Sequence, residues 1–244
     1  MSQQPFQFKK FKVHQDRCAM KIGTDGVLLG AWSSIEHEPK SILDIGAGTG
    51  VIALQLAQRS SATTIDAIEI DDHAHEQCTH NFEHSDWADR LFCYHASVQE
   101  FASEMEHKYD LIVSNPPFFK APKSIDAQTQ NTSQERAVAR FTDTLPFTHL
   151  VVCAAHLLSQ NGVFCTILPQ TEVASFIEIA AQNKLFISKI CTIRGTKTSK
   201  IKRCMLAFST RQSKPKTQEL TIEISRHNYT QEYKNLVSDF YVKM

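Results

Sequence analysis

Ile42-Leu43-Asp44-Ile45-Gly46-Ala47-Gly48-Thr49-Gly50 carries a short apolar run straight into three alternating glycines. It reads as a buried strand breaking into a turn, because glycine takes φ > 0 without strain and lets a ligand approach the backbone. Val51 to Gln58 follows with helical apolar spacing, and Thr64 to Ile70 is a second strand with Glu69 at its end. A strand, glycine turn, helix and second strand ending in a carboxylate form a nucleoside-cofactor site, in which that carboxylate accepts both ribose hydroxyls. Asp44 narrows the choice of cofactor. A dinucleotide sets its pyrophosphate at the helix N-terminus, where a carboxylate just before the glycines would repel it, whereas a cationic cofactor is favoured there.

Working outward, strands and helices alternate. His73 to His84 is a polar helix, Leu91 to His95 and Asp110 to Ser114 are strands, Leu145 to Leu158 is a helix, Val163 to Leu168 a strand and Glu172 to Gln182 a helix. This pattern calls for parallel strands joined by crossover helices. Leu185 to Ile193 and Arg203 to Thr210 are two more strands with no helix between them, an antiparallel pair closing one edge of a seven-stranded sheet. Phe6, Phe8, Phe11 and Val13, followed by Cys18, Met20 and Ile22, form a strand pair or lid turning at His14 to Arg17. The expected division is an N-terminal extension over 1–40 and an α/β domain over 41–244, a single domain overall. Residues 118–142 exceed the length at which a structureless loop is usually functional, and read as a substrate loop.

A chain of 244 residues with 42% hydrophobic composition fills one large core. It has no run near the roughly 20 apolar residues that span a bilayer and no signal-peptide core, which gives a cytoplasmic expectation. Seven scattered cysteines without a C-x-x-C pair speak against a disulfide framework or zinc ribbon. His73, Glu76, His80 and His84 can share a helical face, but the expected reading is an exposed polar helix, with no metal. The net charge of zero hides a segregation: residues 184–216 hold ten Lys/Arg and no acid, whereas 31–183 are strongly acidic. A basic stretch on an acidic body suits a polyanion partner.

Asn115-Pro116-Pro117-Phe118 directly follows the fourth strand of the alternation. This turn resembles the Asn/Asp-Pro-Pro-aromatic signature of methyltransferases that act on planar amide-like nitrogens, whose amine is a poor nucleophile because its lone pair is drawn into the π system. The Asn115 side-chain oxygen and the Pro116 carbonyl can accept its two hydrogens and aim its lone pair, while Phe118 stacks on the ring. Consecutive prolines keep both acceptors fixed. Upstream, Lys21-Ile22-Gly23-Thr24-Asp25-Gly26 reads as a helix start near Gly26 capped by Thr24 or Asp25.

The Asp-x-Gly-x-Gly-x-Gly form resembles the Rossmann-like class I methyltransferases that use S-adenosylmethionine, and Asn-Pro-Pro-aromatic resembles those acting on adenine, cytosine or glutamine amide nitrogens. Together with Phe8 to Val13, Lys21 to Trp32 and the ending Tyr229 to Lys234 and Asp239 to Tyr241, the whole chain resembles the bacterial tRNA(Val) adenine-37 N6-methyltransferases. The resemblance implies a mostly parallel seven-stranded sheet with an antiparallel edge strand and helices on both faces. It implies catalysis by Asn115, Pro116, Pro117 and Phe118. For the cofactor it implies Lys21, Thr24, Asp44, Gly46, Gly48, Gly50, Glu69, Ser97 and Asn115, where Ser97 stands in place of the family's usual adenine-binding Asp. The basic residues Lys9, Lys10, Lys12, Arg136, Arg140, Lys197, Lys200, Lys202 and Arg203 are the expected contacts to the anticodon stem-loop. Charge does not separate tRNA from ribosomal RNA. A release-factor glutamine needs no long basic face, and an idle cofactor-sensing RNA binder needs no aligned acceptors.

Overall fold

The computed structural model describes residues 4–117 and 145–243. The chain opens with a two-stranded hairpin, β1 (Phe6–Gln7) and β2 (Lys12–Val13), then α1 (Thr24–Trp32). The alternation follows as β3 (Ser41–Ile45), α2 (Val51–Arg59), β4 (Thr64–Glu69), α3 (Asp72–Glu83), β5 (Leu91–His95), α4 (Val98–Glu104) and β6 (Tyr109–Ser114). After the undescribed stretch come α5 (Phe147–Leu157), β7 (Leu158–Pro169), α6 (Val173–Gln182), β8 (Phe186–Arg194), β9 (Ile201–Ser209) and β10 (Lys216–Thr221). A small pair, β11 (Glu223–Ser225) and β12 (Asn228–Tyr229), leads into α7 (Gln231–Val237). Among the described residues no helix is long and apolar enough to cross a membrane.

The central sheet has the order β10-β8-β9-β7-β6-β3-β4-β5, and every pairing is parallel except those of β9. Helices cover both faces, which is why β3 and β6 carry consecutive apolar residues, Ile42-Leu43 and Leu111-Ile112-Val113: neighbouring side chains point into different cores. Ile42, Leu111 and Val113 pack with α1, α2 and the chain termini. Leu43, Ile45 and Ile112 pack with α4, α5 and α6.

Three expectations need correction. The sheet has eight strands, and its antiparallel strand β9 is internal, while the edge beyond β8 is the parallel strand β10. Lys216-Thr-Gln-Glu-Leu-Thr221 hides from an apolar search because only Leu220 is buried, and a polar sequence protects an exposed edge. The N-terminal hairpin turns at Phe8–Phe11, not at His14–Arg17: Phe6 pairs with Val13, and the Phe8 N–H donates to the Phe11 carbonyl over 2.9 Å. This turn buries Phe8, Phe11 and Val13 beside Phe240 of the far terminus. Finally, α1 begins at Thr24 with Gly23 as its N-cap and no side-chain cap. The Asp25 carboxylate instead accepts from Arg203 Nε at 2.7 Å.

Candidate active site

The register lines up the ends of the parallel strands. Ile45 sits opposite both Ile68 and Ser114, and Glu69 opposite His95. The glycine turn, Glu69, Ala96–Ser97 and Asn115 therefore emerge side by side at one edge. The Ser114 hydroxyl donates to the Ile45 carbonyl at 2.9 Å and ties the ends of β6 and β3 together just before Asn115.

The turn is built by left-handed backbone at Gly46, Gly48 and Gly50, with φ of 73°, 56° and 76°. Around Gly46 and Gly48 a β-carbon would meet nothing within 4 Å, so the cradle is open. Gly50 is different: a β-carbon there would strike Phe82 at 2.5 Å and Cys78 at 2.8 Å, so its role is to let α3 pack against the start of α2.

Asp44 is wholly buried. One carboxylate oxygen accepts from the Ala53 N–H at 3.2 Å, and the other has no partner in the structure. Burial pushes its pKa up to about 7; the Ala53 bond lowers it, and the nearby Glu69 charge raises it further. Glu69 accepts from the Gly48 N–H at 2.8 Å through one oxygen, and from the N–H groups of Ile70 and Asp71 at 2.8 and 3.0 Å through the other. Each oxygen keeps acceptor capacity toward the open side. An orphaned buried acceptor, an open glycine cradle and a half-buried carboxylate fit a nucleoside cofactor that carries positive charge.

The N-terminal segment lies over this edge. Buried Asn81 of α3 accepts from the His14 N–H and donates to the carbonyls of His14 and Thr49, each at 2.9 Å, joining the segment to the glycine turn. Arg17 bonds Gln77 through its backbone and Glu76 through its side chain. Burial, helped by Glu69 and Asp71, pushes the Cys18 thiol up to about 12, which sets Cys18 in the field of these carboxylates. The N-terminus of α1 closes the site from the side: a β-carbon at Gly26 would stand 3.5 Å from Val51 Cγ1 and 4.0 Å from Asn115 Nδ2.

Strand order, glycine cradle and the two carboxylates define a class I methyltransferase. The same fold is seen in a predicted O-methyltransferase from Agrobacterium tumefaciens, 16% identical over 88% of this chain and 96% of that one, with a TM-score of 0.68. It recurs in the ribosomal protein L11 methylase from Lactobacillus delbrueckii subsp. bulgaricus, 15% identical over 77% of this chain and 78% of that one, with a TM-score of 0.52. The family model for the methyltransferase small domain matches residues 23–144. The chain is 56% identical to the tRNA1(Val) (adenine(37)-N6)-methyltransferase of Christiangramia forsetii, with all of both chains covered. It is 52% identical to the protein of that name in Flavobacterium psychrophilum, over 98% of this chain and all of the other. The chain belongs to the family of tRNA1(Val) (adenine(37)-N6)-methyltransferases.

The expected site residues separate in space. Asp44, Gly46, Gly48, Glu69 and Asn115, with Pro116 and Pro117, converge at the edge, and Thr24 is exposed at the start of α1 with Lys21 three residues before it. Ser97 is engaged as the N-cap of α4: its hydroxyl donates to Glu100 at 2.7 Å and accepts from the Glu100 N–H at 3.2 Å. The Ser97 hydroxyl and its backbone N–H, the latter at 3.0 Å, both donate to the Glu100 carboxylate and hold it below its usual range. Phe118, Arg136 and Arg140, and the 118–142 loop, lie outside the described residues.

The basic run is not one face. Lys197, Lys200 and Lys202 are exposed on and beside the β8–β9 hairpin, at the same edge as Asn115. Because β7 continues three residues past Thr166, the partner of Ser114, the hairpin projects roughly 10 Å beyond the turns. Lys184, Arg211 and Lys214 lie at the opposite end. Arg194 pairs with Glu219 at 2.9 Å, and Lys189 sits 4.5 Å over the Trp32 ring, so acids and aromatics from elsewhere in the chain engage part of the run. Lys9 and Lys10 flank Gln58, Arg59 and Asp239 around a 440 Å³ cleft at the far end of α2, and Lys12 lies on the strand leading back toward the site. On α3, His80 stacks on His84 at 4.2 Å and Glu76 is taken by Arg17; among the described residues no cluster of His, Cys, Asp and Glu could hold a metal ion.

Proposed function

We propose that the protein transfers the methyl group of S-adenosylmethionine to the exocyclic N6 of adenine 37 in tRNA(Val), acting in the cytoplasm without a metal. The observation that carries the chemistry is the position of Asn115: it leaves β6 one residue after Ser114, beside the open glycine cradle and against α1. The choice of tRNA(Val) rests on the names of the full-length relatives.

S-adenosylmethionine supplies an electrophilic methyl group on a sulfonium cation. Glu69 would accept the ribose hydroxyls through its remaining lone pairs, and Gly46 and Gly48 would let the cofactor lie against the main chain. The Asp44 and Glu69 charges favour a cation at this edge and disfavour an anion. The Asn115 side-chain oxygen and the Pro116 carbonyl accept the two hydrogens of the target amine, so its lone pair faces the methyl group. Pro116 and Pro117 fix these acceptors before the substrate arrives, which is where preorganisation lowers the barrier. The adenine sits in a loop, so extruding it costs less than the few kcal/mol of unstacking in a duplex. After transfer the extra proton passes to water at the open edge. Lys197, Lys200 and Lys202 line the flank on which the RNA backbone lies.

The test is nucleoside mass spectrometry. Unmodified tRNA(Val) incubated with the protein and S-adenosylmethionine should gain one N6-methyladenosine, located to position 37 by nuclease mapping. Methylation of ribosomal RNA or of a protein glutamine instead would overturn the reading.

A further inference from the structure

A second cleft, of about 430 Å³, opens beside the active site and plays no part in the reaction described above. Its size falls in the range of roughly 300–1,000 Å³ that accommodates a small ligand. One wall is Gly23 and Thr24 at the start of α1; the other carries Phe6, Tyr229, Tyr233 and Tyr241. The Tyr229 and Tyr233 rings are 5.2 Å apart and inclined by 32°, and Phe6 meets Tyr241 at 6.2 Å nearly edge-on. Tyr233 is buried, and its backbone N–H donates to the Thr230 hydroxyl oxygen over 3.2 Å at the start of α7. Tyr229 is half-buried and set by its neighbour: the Thr230 N–H and hydroxyl donate to the carbonyls of Ile222 and Thr221.

The surroundings of the cleft suit one kind of ligand. Lys243 lines it, and Glu223, the acid in its lining, accepts from the His227 N–H at 3.2 Å. The Glu223 N–H in turn bonds Gly195, which places the cleft against the β8–β9 hairpin two residues from Lys197. Rings flanked by lysines are the means by which proteins hold unpaired nucleotides, with bases on the rings and phosphates on the cations. The cleft also shares a wall with the reaction site. Thr24 is two residues, roughly 3 Å of helix rise, from Gly26, which abuts Asn115.

We propose that this cleft receives one further unpaired base of the RNA loop that presents the target adenine, stacked on Tyr229. The assignment rests on RNA being the substrate. It gives the enzyme a reason to prefer a splayed loop over a lone adenine, since two bases must leave the stack together.

The experiment compares wild type, Tyr229→Leu and Tyr229→Phe on tRNA(Val), and on tRNAs carrying a single abasic nucleotide at each anticodon-loop position in turn. Tyr229→Leu should raise KM for tRNA by about 5- to 150-fold, the effect of one lost base stack. Affinity for S-adenosylmethionine should stay within about twofold, and Tyr229→Phe should restore KM. One abasic position other than the target should weaken wild type comparably and add nothing further in Tyr229→Leu. If wild type methylates tRNA while Tyr229→Leu keeps its KM, or if every abasic loss adds to the Tyr229→Leu loss, the cleft assignment is wrong and the substrate reading stands. If wild type methylates no tRNA, the substrate reading fails and the cleft assignment falls with it.

Discussion

Asp44→Asn should change how stability depends on pH. The Asp44 carboxyl is wholly buried with a single hydrogen bond, and its pKa rises from 3.8 to about 7. Three units correspond to about 4 kcal/mol of preference for the neutral form in the folded state. For a raised pKa the folded protein binds more protons than the unfolded chain between the two values, so stability is fully present below 3.8 and is lost as pH climbs to 7. Between pH 5 and pH 7, wild type should lose about 2 kcal/mol more than Asp44→Asn, which has no proton to release. Asp66, raised chiefly by its own burial, gives a slope of the same sign in both proteins and cancels in the comparison. Urea denaturation at pH 5, 6, 7 and 8 measures the difference. A cationic cofactor beside the carboxylate reverses its preference, so S-adenosylmethionine should protect wild type more at pH 8 than at pH 6. Stability curves for the two proteins that differ by a constant at every pH would refute the reasoning.

Glu69→Ala should weaken S-adenosylmethionine binding about 10- to 100-fold, the range for losing hydrogen bonds to a charged acceptor, with kcat at saturating cofactor nearly unchanged; calorimetry and steady-state kinetics separate the two. Changing Lys197, Lys200 and Lys202 together to Ala should lower the slope of log tRNA affinity against log salt by about 2, because each phosphate neutralised on a single strand contributes about 0.7; an unaltered slope would make the hairpin a bystander. Gly50→Ala should cost about 2 kcal/mol or more, seen as a lowered urea midpoint, because a β-carbon meets Phe82 at 2.5 Å while φ is 76°.

The strands that frame the candidate site were legible in the sequence because their information is local. Ser41–Ile45 and Tyr109–Ser114 are almost wholly buried and carry Ile42-Leu43 and Leu111-Ile112-Val113 as apolar runs, and each strand leads directly into its turn. The sequence says less where a distant partner decides the outcome. The hairpin turn at Phe8–Phe11 depends on a pocket supplied by Phe240 and Tyr241, and the Asp25–Arg203 pair joins residues 178 apart. Strand β10 is polar because an edge needs only one buried side chain, so no hydrophobic pattern marks it. The Tyr-lined cleft likewise exists only once the two ends of the chain meet across α1. Ser97 is a different case. Ser97-Val98-Gln99-Glu100 is a capping box, a local signal visible in the sequence, in which the serine hydroxyl bonds Glu100.

Asn115 is proposed to hold the target amine rather than the sulfonium of the cofactor. Tritium-methyl transfer to tRNA(Val) by Asn115→Ala, with calorimetry of S-adenosylmethionine on the same preparation, tests it. The rate should fall about 10²- to 10³-fold, as for loss of one oriented group in a transition state, with cofactor affinity within about tenfold of wild type. Transfer at the wild-type rate would contradict the account, and so would a lost rate explained entirely by lost cofactor binding.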